Sequence, residues 1–364
     1  MEGDVVMNVL SLFDGMSCGR IALDRAGFDV DQYYASELDK YAIQVTQANW
    51  SDTIQLGDVT KWREWDIDWS SIDLLIGGSP CQGFSFAGKQ LAFDDPRSKL
   101  FFVYVDILNH IRSLNPEVKF MLENVKMKKE YLDVISEQLG VQPVFINSSL
   151  VSAQNRQRYY WANWDFGQPE DRGIVLADIL EHDDVGSTPA AIRGRYIVDG
   201  KRQDGKMLTQ QILEVKSDQK TNALTTVQKD NVVTLMKHGR YPLINLAESD
   251  GRDPEILINE SATKNDKAYS LTASYNGAVA WNSIEKKQRT MIPYAESNEK
   301  APNNYNGLSY RKLTPVECER LQTVPDNYTD CVSNTQRYKM LGNGWTVDVV
   351  VHIFKEMQKT EDVQ

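Results

Sequence analysis

The chain has 364 residues and a formal net charge of -11, with 41% hydrophobic and 25% charged residues. This length is sufficient for one large domain and a smaller one, and no apolar run approaches the length that spans a membrane. The four cysteines show no CxxC pair and no metal-ligand spacing with the four histidines, which argues against zinc and against a disulfide framework. We therefore expect a cytoplasmic protein without a membrane partner. The acidic charge argues mildly against nucleic acid, although net charge averages over surfaces that differ.

The chain opens with a predicted strand, turn and helix. Residues 5–13 are an apolar run, and the turn at 14–19 contains Gly15 and Gly19 before a helix that starts near Arg20. A strand, a glycine-containing turn and a helix N-terminus form a pocket for a nucleotide-like cofactor. The spacing G-x-x-x-G is a weaker signal than the dinucleotide fingerprint, so an ordinary strand-to-helix turn stays open.

Two acidic residues follow the next two predicted strands. The strand at 32–36 ends at Glu37, and the short strand at 53–56 leads into Gly57, Asp58 and Val59. An acid at the end of the second strand is placed to accept hydrogen bonds from ribose hydroxyls. Two such acids suit a cofactor that has ribose and adenine but no phosphates.

A glycine-rich loop at 77–88 follows the apolar run 72–76, which predicts a buried strand. Cys81 therefore lies at the carboxyl end of a strand, where open α/β sheets place ligands and chemistry. A cysteine there is either a nucleophile or a small buried hydrophobe, and its glycine-rich flanks favour the nucleophile.

Glu123 is predicted at the same sheet edge as Cys81. An amphipathic helix at 99–114 precedes the strand 119–122, and Glu123 comes directly after that strand. A buried carboxylate is costly unless it is paired or functional, and desolvation favours its protonated form, which suits proton donation. A helix-capping or surface acid is the alternative.

Two arginines lie between the runs 144–146 and 159–161, which predict an antiparallel pair. Arg156 and Arg158 are two residues apart on an extended segment, so both side chains can reach the same anionic or carbonyl-rich ligand. A charged edge strand is the alternative.

The remaining chain predicts a second domain and a return to the first. Residues 187–244 contain ten Lys/Arg against five Asp/Glu, which suits a phosphate-facing surface, with a solvated structural insertion as the alternative. Thr314 and Glu317 form a capping box with Pro315 at the first helical position, which predicts a helix at 315–321. The last helix, over 347–354, would pack near the first strand. We predict a discontinuous α/β domain at 1–165 and 307–364, with a smaller β-rich domain at 166–306.

In this order and spacing, the motifs resemble those of the C5-cytosine DNA methyltransferases. One departure is the first loop, which has Met16-Ser17-Cys18 in place of a double glycine common in bacterial members. The matching segments are Phe13-Asp14-Gly15 with Gly19, Glu37, Asp58-Val59, Pro80-Cys81-Gln82, Glu123-Asn124-Val125, Gln154-x-Arg156-x-Arg158, 313–322 and 341–344.

The resemblance implies a Rossmann-like fold that binds S-adenosyl-L-methionine, with a target-recognition domain at 166–306. The residues that it assigns to the cofactor are Phe13, Asp14, Gly15, Gly19, Glu37, Leu38, Asp58, Val59, Ser79, Pro80 and Asn343.

The resemblance also implies the reaction. The Cys81 thiolate adds to C6 of a flipped cytosine, Glu123 serves N3, and Arg158 holds O2, with Arg156 beside it. Substrate contacts are then expected from Gln82, Phe84, Ser85, Lys89, Arg97 and Gln154.

Double-stranded DNA is the expected partner of a monomeric, bacterial or phage-encoded enzyme, and a cognate restriction endonuclease would be a separate chain. A tRNA cytosine methyltransferase is an alternative, but its Cys-Phe-Thr signature is absent. A catalytically idle DNA-binding relative is disfavoured by Cys81, Glu123 and Arg158. A dehydrogenase is disfavoured by the missing dinucleotide fingerprint.

Overall fold

The computed structural model describes residues 6–79, 99–181, 188–195, 197–198, 201–202, 210–215, 218, 220–224, 232–234, 239–242 and 311–361. The chain divides into two compact units, of which the first combines 1–174 with 318–364 and the second covers 175–317. The domain limits at 165 and 307 stay predictions. Among the helices of the described ranges, none combines the length and the apolarity needed to cross a membrane.

The first unit is built on a seven-stranded sheet in the order β3-β2-β1-β4-β5-β8-β6. Strands β3, β2, β1, β4 and β5 run parallel, and β8 is antiparallel to both β5 and β6, which confirms the predicted antiparallel pair. The α/β class is therefore confirmed. The strands of this unit are β1 (Val6–Leu12), β2 (Asp29–Ser36), β3 (Ile54–Gln55), β4 (Leu74–Gly77), β5 (Lys119–Val125), β6 (Val144–Asn147), β7 (Gln154–Asn155) and β8 (Gln157–Ala162).

Helices cover the sheet, which explains why its central strands are apolar rather than alternating. Leu10, Leu75 and Phe120 on three neighbouring strands are completely buried. The helices are α1 (Cys18–Ala26), α2 (Lys40–Asn49), α3 (Lys99–Leu114), α4 (Lys129–Leu139), α5 (Pro315–Leu321), α6 (Asn334–Asn343) and α7 (Val347–Glu361).

Helix α1 approaches the sheet closely because Gly19 has no side chain. A Cβ at Gly19 would lie 2.4 Å from Ile76 Cδ1, so a larger residue would push the helix away. Helix α7 packs beside α1, with the rings of Phe28 and Phe354 at 6.4 Å in an edge-to-face arrangement. The last helix of the chain thus completes the fold that the first strand begins.

The second unit is β-rich, as predicted. Its five-stranded sheet has the order β15-β12-β9-β14-β16, and its described neighbours pair antiparallel. The strands of this unit are β9 (Thr188–Arg195), β10 (Ile197–Val198), β11 (Lys201–Arg202), β12 (Gln210–Val215), β13 (Thr221–Asn222), β14 (Val232–Thr234), β15 (Gly239–Pro242) and β16 (Arg311–Lys312).

The predicted capping box at the start of α5 is confirmed, because Thr314 N donates to Glu317 Oε2 at 2.8 Å and Glu317 N donates to Thr314 Oγ1 at 3.2 Å.

Candidate active site

A cavity of about 360 Å³ lies in the first unit, where the carboxyl ends of four strands meet. Such strand ends are where open α/β sheets bind ligands. Its walls come from the ends of β1, β2, β4 and β5, from Arg156 just before β8 and Arg158 on β8, and from the C-terminal end of α6. The lining residues are Phe13, Asp14, Gly15, Cys18, Glu37, Asp39, Ala42, Gly78, Ser79, Glu123, Asn124, Val125, Arg156, Arg158, Met340, Gly342, Asn343, Gly344 and Trp345.

At one end of the cavity, Glu37 is held by the backbone. Its Oε2 accepts a hydrogen bond from Gly15 N at 2.8 Å, and its Oε1 accepts from Leu38 N at 2.7 Å and Asp39 N at 2.8 Å. Gly15 has φ +62°, in the left-handed region that favours glycine. The glycine turn after β1 and the acid after β2 therefore form one fixed element.

Phe13 and Asp14 line the same end of the cavity. Phe13 has φ +58°, a conformation that costs a non-glycine residue roughly 1 kcal/mol and that clusters at ligand sites. Asp14 Oδ1 accepts from the Tyr33 hydroxyl at 2.9 Å, and its Oδ2 accepts from Ser17 Oγ. The pKa of Asp14 is raised to about 6, because burial and the nearby charge of Glu37 outweigh the opposing effect of these hydrogen bonds.

At the other end, Glu123 forms an ion pair with Arg158. Glu123 Oε1 lies 2.8 Å from Arg158 Nε, and the two side chains are only 11% and 16% exposed. The pairing of β5 with β8 sets Val125 opposite Arg158, which brings both charges to one edge. A Cβ at Gly78 would lie 2.9 Å from Trp345 Nε1 and 3.1 Å from Glu123 Oε2, so a side chain there would have to displace one of these groups.

Asn124 ties β5 to the segment that precedes Cys81. Its Nδ2 donates to Ser79 Oγ at 3.2 Å and to the Ser79 carbonyl at 3.4 Å, and both residues are buried. The structure thereby fixes the start of the glycine-rich loop next to Glu123. Seven predicted site residues fall outside the described residues: Pro80, Cys81, Gln82, Phe84, Ser85, Lys89 and Arg97.

Arg156 lines the cavity but uses its guanidinium differently from Arg158. Its Nη2 donates to the Gly344 carbonyl at 2.8 Å, and its Nη1 to the Gly342 carbonyl at 3.3 Å. Burial, together with the positive charge of Arg158, lowers the pKa of Arg156 to about 9. The guanidinium therefore remains charged at neutral pH and holds the wall formed by the segment after α6.

Gln154 is completely buried and does not line the cavity. Its amide donates to Gln322 Oε1 at 2.9 Å, and Gln322 Oε1 also accepts from Thr346 Oγ1 at 3.0 Å. Gln322 Nε2 in turn donates to the carbonyls of Leu341 at 2.6 Å and Gly344 at 3.1 Å. This amide cluster of Gln154 and Gln322 supports the same wall as Arg156.

Four predicted cofactor residues lie outside the cavity lining. Asp58 Oδ1 accepts from Thr60 N at 2.9 Å and caps a 3-10 helix, and the backbone N–H and hydroxyl of Thr60 lower the pKa of this carboxyl. Val59 is buried in the core, Leu38 is exposed, and Gly19 packs against the sheet.

Trp345 is a lining residue that the sequence analysis missed. It follows Asn343 and Gly344 directly, so its place beside a glycine-flanked asparagine was the available signal. Its backbone N–H donates a hydrogen bond to the Cys18 sulfur. Burial raises the pKa of the Cys18 thiol to about 12. Cys18 therefore stays a protonated thiol in the wall.

The parallel central sheet and its helices form a Rossmann-like fold of the methyltransferase type. A solved structure of a DNMT2 variant from Spodoptera frugiperda shares this fold, with a TM-score of 0.54 and 18% sequence identity over 96% of this chain and 99% of that one.

The sequence profile of the C-5 cytosine-specific DNA methylases matches residues 7–359, so the chain belongs to this family and the resemblance drawn from its motifs is confirmed. The type II methyltransferase M.NlaX of Neisseria lactamica is 29% identical, with 97% of this chain and 96% of that protein covered. The orphan methyltransferase M.SPRI of Bacillus phage SPR is 27% identical, with 97% and 98% covered.

Proposed function

We propose that this protein transfers a methyl group from S-adenosyl-L-methionine to C5 of a cytosine in double-stranded DNA. The observation that carries the proposal is a single cavity with Glu37 fixed at one end and the Glu123–Arg158 pair at the other. The Glu37 end suits the nucleoside part of the cofactor, and the Glu123–Arg158 end suits a pyrimidine that gains negative charge.

The residues at the Glu37 end fit the cofactor that the family generally uses. Gly15 offers a turn without a side chain, and a carboxylate has about four lone-pair sites, so Glu37 can accept a ribose hydroxyl beside its three N–H bonds. The group would be held by Phe13, Asp14, Gly15, Glu37, Ser79 and Asn343 and would supply an electrophilic methyl group.

Glu123 and Arg158 would stabilise the cytosine as the Cys81 thiolate adds to C6. As the sulfur–carbon bond forms at C6, the C5–C6 π bond breaks and its electrons shift toward N3 and O2, where Glu123, once it holds a proton, would donate to N3 and Arg158 would donate to O2. A guanidinium has five N–H donors, of which the described contacts to Glu123 and to the Gln157 carbonyl use two. Once C5 carries the methyl group, a base would remove the C5 proton, the C5–C6 double bond would re-form and the thiolate would leave.

The same proposal covers the partners. The target base must leave the duplex to reach the cavity, and the basic stretch 187–244 supports a phosphate-facing role for the second unit in target recognition. We place the enzyme as a cytoplasmic monomer, with any restriction endonuclease on a separate chain.

Bisulfite sequencing tests the proposal. Unmethylated plasmid DNA is incubated with S-adenosylmethionine and either the wild-type protein or Cys81→Ser, which lacks the thiol. We expect protected cytosines in one short sequence context with the wild-type protein and none with the variant. Absence of protection with both would refute the DNA reaction, and transfer of labelled methyl groups to tRNA would then identify the alternative substrate.

A further inference from the structure

Three exposed lysines begin where the cavity lining ends. Glu123, Asn124 and Val125 line the cavity, and the chain continues through Lys126, Lys128 and Lys129 at the surface. Met127 between them is 3% exposed and packs in the hydrophobic core. The buried methionine fixes the segment, so the three lysines are presented at a defined place rather than on a loose loop.

Pairing with acidic side chains does not explain the lysines. Lys126 Nζ donates to the neutral Gln157 amide at 3.2 Å, next to Arg158, and Lys128 lies 3.6 Å from Glu130. Within the described part of the chain, neither Lys126 nor Lys129 has a carboxylate within 4 Å. Two positive charges beside the cavity are therefore available to an anion.

Helix stability does not explain them either. Helix α4 starts with Lys128 at its N-cap and Lys129 at its first position, and no side chain caps it. Ser, Thr, Asp or Asn is preferred at the N-cap, and cations near a helix N-terminus oppose the helix dipole. Glu130 supplies one acidic residue to the first turn, but Lys128 and Lys129 precede it, so the net charge at the start of the helix is positive.

We infer that Lys126, Lys128 and Lys129 form a phosphate-contacting surface for the DNA strand that carries the target cytosine, which rests on the proposed function. A flipped nucleotide leaves its own phosphates at the mouth of the cavity, because only the base and sugar turn inward. Lys126 directly follows Val125 of the cavity lining and donates to the Gln157 amide beside Arg158, so the lysine segment is placed to bind the flanking phosphates. Such contacts position the strand without reading its sequence.

Salt-dependent DNA binding tests the surface. Lys126→Gln/Lys129→Gln removes two charges without carboxylate partners, and Lys355→Gln/Lys359→Gln on α7 is the matched control at exposed lysines. The affinity of each protein for a fluorescent duplex is measured by anisotropy at several KCl concentrations with S-adenosylhomocysteine present.

Each lost phosphate contact lowers the slope of log K against log salt by about 0.9, so the double variant should lose about 2 from its slope. Its Kd relative to wild type should then be about tenfold larger at about 50 mM than at about 200 mM KCl, on cognate and non-cognate duplexes alike. The control should keep the wild-type slope, and cofactor affinity by calorimetry should be unchanged in both.

A wild-type slope in the double variant would overturn the inference. If the double substitution lowered the slope for binding to tRNA but not for binding to duplex DNA, this would also overturn the inference and assign the lysines to RNA. The bisulfite assay on the wild-type protein keeps this outcome separate from the proposed function, because wild-type methylation with an unchanged variant slope refutes only the lysine surface.

Discussion

The two ends of the cavity are built in different ways. At the Glu37 end, backbone N–H groups and a left-handed glycine set the geometry, and the carboxylate is fixed by three such bonds. At the Glu123 end, the functional groups are two charged side chains that pair with each other. The difference indicates that the first end acts through shape and the second through charge. Substitutions at the two ends should therefore fail in different measurements.

The largest effect is expected at Glu123. An isosteric change to glutamine removes the carboxyl group that pairs with Arg158 and that would donate the proton to N3. Glu123→Gln should lower the single-turnover methylation rate by about 10²–10⁴-fold, the range for a positioned general acid. Cofactor affinity should stay near wild type, since the shape of the wall is preserved. Glu130→Gln, at an exposed glutamate, is the control. A normal methylation rate in Glu123→Gln would contradict the role proposed for the Glu123 carboxyl.

The next effect is expected from the amide cluster that supports the wall after α6. Gln322→Ala removes hydrogen bonds to Leu341, Gly344 and Thr346, and a net value of about 1 kcal/mol for each predicts a loss of about 2–3 kcal/mol in unfolding free energy. Urea unfolding followed by circular dichroism measures this loss. The exposed Gln142→Ala should change it little, and an equal effect in both variants would show that the cluster has no special role.

Glu37 tests whether shape alone governs its end of the cavity. Glu37→Ala leaves the N–H groups of Gly15, Leu38 and Asp39 without their acceptor, so we expect a 10- to 100-fold weaker Kd for S-adenosylhomocysteine, or about 1.4–2.7 kcal/mol. The rate at saturating cofactor should change far less than in Glu123→Gln. Calorimetry gives the Kd, with Glu64→Ala as the surface control.

Asp14 is a second carboxyl group at the Glu37 end of the cavity. Its pKa of about 6 in the folded protein lies above the ordinary value of 3.8, so the folded state binds more protons than the unfolded state between these pH values. The unfolding free energy of wild type relative to Asp14→Asn should thus fall as pH rises from about 4 to about 6, and level off above about 7. Unfolding curves over this range measure it.

Asp24→Asn, at an exposed aspartate of α1, is the matched control for Asp14. A flat difference for Asp14→Asn would mean that its carboxyl titrates alike in the folded and unfolded states.

The sequence predicts well what local patterns determine. Glu37 and Glu123 each follow an apolar strand, and parallel strands bring their carboxyl ends to one edge, so their convergence follows from the pattern. Arg156 and Arg158 were expected to reach one ligand from a single extended segment, and both line the cavity, but β7 ends at Asn155, β8 begins at Gln157, and Arg156 donates to the carbonyls of Gly342 and Gly344. A break in strand register leaves no local signal in the sequence.

Contacts between distant segments could not be predicted. Gln322 is the last residue of the family-like segment 313–322 in the sequence, and only the fold brings it against Leu341 and Gln154. Trp345 lines the cavity because α6 ends beside β4, and the approach of two such elements depends on the packing of the whole unit. Leu38 and Val59 matched family positions, but exposure and core packing are set by tertiary contacts.

The discontinuity of the first unit has a consequence for synthesis. Strand β1 lies at the centre of the sheet, whereas α7, which packs on α1, comes from residues 347–361. Ribosomes add about 5–20 residues per second, so roughly 17–70 s separate translation of the first strand from that of the helix that packs on α1. During that interval the nascent chain lacks the cavity wall at 340–345. The proposed methylation would therefore begin only after translation of the C-terminal segment.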